Sequence, residues 1–161
     1  MAQQFGMSGQ QMQQSRGAGL QHVTVDDVIQ TDVITAEPDT PLPDVAQMME
    51  AEDVGSVVLV EEDRPMGIVT DRTIALSLRE METPAEQTAA DVSSEDIITG
   101  TTSMTVSDVL DLLSENTIRR LPIVDDNQEL EGIVTLDDLL VLLESEMKKA
   151  TEVIESQSKR Q

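Results

Sequence analysis

Leu42, Val45, Met48 and Met49 are spaced as one face of an α-helix, which predicts a helix over 42–51. Val106, Val109, Leu110, Leu112 and Leu113 repeat the pattern and predict a second helix over 106–115. Each helix is followed by two short apolar runs that read as a hairpin. The first pair, 56–60 and 66–69, is joined by the polar turn Glu61-Glu62-Asp63-Arg64-Pro65. The second pair, 120–124 and 131–134, is joined through Asp125-Asp126-Asn127. Ahead of each helix lie a short helical turn (25–29; 89–93) and a short strand (33–35; 97–99). Thr70 and Thr135 end the hairpins as N-caps of closing helices. The last helix runs from Leu136 toward Glu155. Its stripe of Leu136, Leu139, Leu140, Leu143, Met147, Ala150, Val153 and Ile154 is long enough for a front half in the core and a back half on a partner subunit.

The two halves are copies. Asp27-Val28 aligns with Asp91-Val92 and Asp44-Val45 with Asp108-Val109, an offset of 64 residues. One extra residue in the second turn moves the offset to 65, and Gly67-Ile68-Val69-Thr70 then matches Gly132-Ile133-Val134-Thr135 identically. The fold class is therefore α+β, with two β-α-β-β-α repeats packed about a pseudo-twofold axis. The expected organisation is a disordered Gln/Gly-rich arm over 1–22, repeats over 23–78 and 89–147, a linker over 79–88, and a C-terminal helix extension and tail over 148–161.

Composition removes several classes of function. With no Cys and one His (His22), there is neither a disulfide framework nor a thiolate nucleophile, and a multi-histidine metal site is impossible. Against 32 acidic residues stand 10 basic ones, a formal charge of −22, which argues against nucleic acid and anionic membranes as partners. No apolar run reaches membrane-spanning length and the first residues show no apolar h-region, so no secretory signal and a cytoplasmic protein are expected. High acid with only three Lys resembles proteins of salt-accumulating halophiles. Such a chain is expected to lose its circular dichroism signature on dilution from molar KCl to ~10 mM salt, where self-repulsion is poorly screened. Asp137-Asp138 and Asp125-Asp126 could be read as Mg²⁺ ligands, but adjacent helix residues diverge and the second pair reads as a turn. No nucleophile–base pair is present, so the chain is expected not to be an enzyme and to hold no metal or catalytic cofactor.

The duplicated unit, with VGSVVLVEEDRPMGIVTDRTIALSL in one half and IRRLPIVDDNQELEGIVTLDDLLVLL in the other, resembles the CBS (cystathionine β-synthase) domain, and the tandem resembles a CBS pair, or Bateman module. The resemblance covers about residues 23–147. It implies an adenine nucleotide (AMP, ADP or ATP) between the repeats, held by a Gly-h-h-Ser/Thr-x-x-Asp motif. Helix-start hydroxyl and N–H groups would take the phosphate, and the carboxylate the ribose hydroxyls.

Carried over by residue, the second repeat matches with Gly132, Thr135 and Asp138; Arg120, with Arg119 beside it, would face the phosphates. Ile98, Thr99, Leu121 and Pro122 would line an adenine slot or serve as plain core. The first repeat departs: Thr70 is present, with Ile34 and Thr35, but Thr73 replaces the carboxylate. Losing such a charge-assisted bond costs ~1.5–3 kcal/mol, so one competent site is expected, in the second repeat. The resemblance further implies a homodimer and a regulatory module that signals to an unidentified protein partner in trans. Two alternatives remain open, a ligand-free structural dimerisation module and a divalent-cation sensor.

Overall fold

The computed structural model describes residues 23–94 and 96–158. The expected arm over 1–22 lies outside the described residues. A 3₁₀ turn (Val25–Asp27) precedes β1 (Thr35–Ala36), α1 (Leu42–Glu52), β2 (Ser56–Glu61), β3 (Arg64–Thr70) and α2 (Asp71–Glu80). A second 3₁₀ turn (Pro84–Glu86) and α3 (Ala89–Val92) lead to α4 (Val106–Glu115), β4 (Arg120–Val124), β5 (Leu130–Thr135) and α5 (Leu136–Ser158).

The first sheet has the order β1-β2-β3, with β1 parallel and β3 antiparallel to β2. The second is the antiparallel pair β4-β5. Both hairpins bulge at the same step of the repeat, between Leu59 and Val60 and between Ile123 and Val124.

The expected opening strands are shorter than the sequence indicates. Val33 donates back to the Thr31 carbonyl at 2.9 Å, a tight turn that removes it from the strand. In the second repeat only a parallel bridge between Gly100 and Ile123 remains. Pro122 explains this. In the first repeat the Val58 amide donates to the Ile34 carbonyl at 3.0 Å; Pro122 occupies the Val58 position and has no N–H to give.

A larger departure concerns the helical turns that open each repeat, because each packs on the other repeat. Val25 is fully buried among Val106, Val109, Leu121, Val134 and Leu139. Ala89 is fully buried among Leu42, Val45, Val57 and Val69. Backbone pairs fix both crossings: Val25 donates to Met104, Val106 to Val23, Leu42 to Gln87 and Ala89 to Thr40. Gln30 and Ile133 also exchange both of their backbone bonds, at 3.0 and 2.9 Å.

This crossing accounts for the glycine that opens each Gly-Ile-Val-Thr. A Cβ on Gly132 would lie 2.5 Å from Ile29 Cγ1 and 2.6 Å from the Gln30 carbonyl oxygen. A Cβ on Gly67 would lie 2.9 Å from Ser93 Oγ and 3.2 Å from the Ser94 carbonyl oxygen. The incoming segment can approach only where no side chain stands.

In α5, Leu139 is buried in the second core, while Leu140 and Met147 are 52% and 71% exposed. Among the described residues no helix is long and apolar enough to cross a membrane.

Candidate functional site

The junctions β3–α2 and β5–α5 are built alike. Each begins with a threonine N-cap whose hydroxyl accepts the amide three residues on, Thr73 N–H to Thr70 Oγ1 at 3.1 Å and Asp138 N–H to Thr135 Oγ1 at 3.2 Å. In return the third residue accepts the cap's own amide, through Thr73 Oγ1 at 2.8 Å or Asp138 Oδ2 at 3.0 Å. This is the reciprocal capping box. The same arrangement ties Thr24 to Asp27, Thr88 to Asp91 and Thr105 to Asp108.

The side chains then differ. The Thr135 hydroxyl donates to Asp138 Oδ2 at 2.6 Å, and Gln30, from the crossing segment, donates to Asp138 Oδ1 at 2.6 Å. Both Asp138 oxygens thus have donors, with lone pairs remaining for more. Thr73 instead gives its single hydroxyl hydrogen to the Thr70 carbonyl at 2.8 Å.

Each junction is tied to the start of its own hairpin. The Asp71 amide donates to the Gly55 carbonyl at 3.2 Å, and the Leu136 amide to that of Arg119 at 2.8 Å. The two hairpin starts meet at the axis between the repeats, where Arg120 Nη2 comes within 3.1 Å of the point a Gly55 Cβ would occupy. A cavity of about 680 Å³ opens there. One wall is Ile68, Thr70, Asp71, Arg72, Thr73 and Ser94; the other is Thr117, Ile118, Arg119 and Arg120. The helix α4 ends with Thr117 at φ 55°, a left-handed conformation that a β-branched residue rarely takes, and this turn presents the arginines.

The sequence-derived grouping changes accordingly. Arg119 and Arg120 line the cavity of Thr70 and Thr73, and that cavity's walls include neither Thr135 nor Asp138. The reason is the pseudo-twofold arrangement: a side chain leaving β4 at the axis reaches across into the other repeat. Arg119 also stands 3.5 Å from Asp137, with both side chains largely exposed.

Gly132 packs against the crossing segment at Ile29 and Gln30, where a Cβ would clash. Leu121 is fully buried core, and Ile98 packs against that core. Pro122 is buried in β4, and Thr99 is half-buried just before the Gly100 bridge. Ile34 and Thr35 line another cavity, about 510 Å³, whose walls along α1 hold neither Thr70 nor Thr73. Arg72, Ser94 and Thr117, which the sequence does not single out, also line this cavity, because the crossing of the repeats brings them to it.

Among the described residues three carboxyls are held below the usual carboxylate range: Asp91 by the Thr88 backbone and side chain, Asp108 by the Thr105 side chain and backbone, and Asp125 chiefly by the Glu129 backbone amide. All serve caps or turns and none lines the cavity. Among the described residues no three acidic or histidine side chains converge as a metal site requires.

The CBS domain family model matches residues 25–80 and 89–145. The CBS domain-containing protein YhcV of Bacillus subtilis is 36% identical over 118 residues, 73% of this chain and 84% of that protein. The CBS domain pair of protein MJ0100, solved with 5′-methylthioadenosine and S-adenosyl-L-methionine, superposes with a TM-score of 0.71 at 25% identity, covering 77% of this chain and 98% of that one. The fold also matches that of the CBS domain protein PAE2072 from Pyrobaculum aerophilum, solved with AMP, with a TM-score of 0.68 at 21% identity over 76% and 97% of the two chains. The duplication, the crossed repeats and these matches agree: the chain belongs to the CBS-domain family, as a tandem pair.

Proposed function

We propose that this protein is a regulatory module that binds an adenine nucleotide between its two repeats and passes on its occupancy as a change in their arrangement. The observation that carries the reading is the composition of the cavity: Thr70, Thr73 and Arg72 come from one repeat and Arg119 and Arg120 from the other. A ligand touching both walls favours the arrangement that holds them at the right distance, and so shifts a pre-existing equilibrium. Guanidinium groups suit phosphate oxygens, because their planar donors meet them in pairs. Support also comes from the adenosine derivatives with which the MJ0100 and PAE2072 structures were solved. Thr135 and Asp138 would serve a second, pseudo-symmetric site in which the carboxylate accepts sugar hydroxyls.

The module is non-catalytic and cytoplasmic in this reading. It homodimerises through the exposed apolar residues of α5, Leu140, Val141 and Met147, and acts on a protein partner in trans. The test is isothermal titration calorimetry in molar KCl with AMP, ADP and ATP. A heat-based readout suits a chain with no Trp and no Tyr. Saturable binding supports the reading; no heat with any of the three on folded protein overturns it.

A further inference from the structure

The cleft at the axis is basic in a chain that is otherwise strongly acidic. Three of the ten basic residues, Arg72, Arg119 and Arg120, line it, and among the described residues Asp71 is the one carboxylate in its walls. In a chain with 32 acidic residues, arginines find carboxylate partners easily. Yet among the described residues Arg72 and Arg120 make no ion pair, and Arg119 makes only the long, exposed one to Asp137. Asp71 is itself engaged: its Oδ1 accepts the Arg72 amide at 2.7 Å, and Oδ2 reaches the same point beside Gly55 as Arg120.

One guanidinium suffices for one phosphate, since a single Arg meets it in bidentate fashion. Three guanidiniums from two elements supply donors enough for a chain of linked phosphates. The sugar end is the reverse. Thr73 has spent its only hydrogen on the Thr70 carbonyl and accepts the Thr70 amide, so it has no second oxygen with which to grip a vicinal diol.

We propose that this cleft selects its ligand by the number of linked phosphates, taking a nucleoside di- or triphosphate, and does not read the sugar's vicinal hydroxyls. The inference rests on the nucleotide reading for the base and sugar, and on the arginines alone for the phosphates. It deepens that reading by naming the ligand class of one cleft.

The test is a titration of the ¹⁵N-labelled full chain at fixed ionic strength, followed at the Gly55 and Thr73 amides, with AMP, ADP, ATP, 2′-deoxyATP and inorganic tripolyphosphate. Affinity is expected to rise about tenfold with each added phosphate. 2′-DeoxyATP is expected to bind within about twofold of ATP, because no group here discriminates the 2′-hydroxyl. Arg72→Gln, an exposed change on α2, should flatten the ladder while leaving the spectrum dispersed.

AMP binding as tightly as ATP overturns phosphate selection. 2′-DeoxyATP binding at least about tenfold more weakly than ATP overturns indifference to the sugar. Tripolyphosphate moving these amides while no nucleotide does overturns the nucleotide reading and leaves the phosphate selection standing. If no probe moves them, both fail.

Discussion

The two threonine junctions share a backbone and differ in chemistry. At Thr70 the partner three residues on is Thr73, and the facing wall brings two arginines. At Thr135 the partner is Asp138, already bridged by Gln30. Thr and Asp both close the capping box, so the helix start does not dictate which of them is present. The chemistry each junction presents therefore depends on the side chain at the third position and on what the opposite repeat sends across the axis. A duplicated fold can in this way carry two unlike clefts.

The largest expected effect breaks the comparison at its structural root. Gly132→Ala places a Cβ within 2.6 Å of the Gln30 carbonyl oxygen, a backbone atom that cannot step aside. We expect a loss of about 2–4 kcal/mol in urea unfolding, within the range for overpacked or strained sites. Gly67→Ala meets the softer Ser93 hydroxyl first, so it should cost about half as much. Equal losses would mean that the two crossings are equally rigid.

Next comes the helix end that presents the arginines. Thr117 and its counterpart Asp53 both hold a positive φ, at 55° and 52°. Asp tolerates this region and a β-branched residue does not. Thr117→Gly should therefore raise stability by about 1 kcal/mol, and Asp53→Gly by less. A thermal shift of the opposite sign for Thr117→Gly would show that the threonine contributes more than its strain costs.

The smallest effect concerns pH. Asp108 is fully solvated, and the Thr105 side chain and backbone lower its pKa in the folded chain. A lowered folded value adds stability that is complete above the unfolded carboxylate value, about 3.9. That contribution fades as pH falls through the folded value. The stability gap between the parent and Asp108→Asn should accordingly be open at pH 6 and narrow toward pH 3 in urea titrations. A gap independent of pH would assign the cap to the amide geometry alone.

Much of this architecture was legible in the sequence. The helices at 42–52 and 106–115 follow from apolar spacing, and the hairpins from paired apolar runs around polar turns. The Pro122 effect was also readable, because an imide in a strand removes a donor at a known position. The crossing of the opening turns was not. Val25 and Ala89 look like any apolar residue beginning its own repeat, and only tertiary pairing reveals which core each enters.

The crossing also decides which wall the arginines stand on. Arg119 and Arg120 adjoin the second repeat's motif in sequence and line the first repeat's cleft in space. Gly132, which the motif includes, also stands where the crossing segment at Ile29 and Gln30 leaves no room for a Cβ.

The most direct test of the account is to titrate ATP calorimetrically into Asp138→Ala and into the double variant Arg72→Gln/Arg120→Gln, both in molar KCl. The account predicts that Asp138→Ala retains a tight ATP site and that the arginine variant loses it by at least about a hundredfold. The reverse result, with the arginine variant binding normally and Asp138→Ala silent, would contradict it and return the phosphate site to the second repeat.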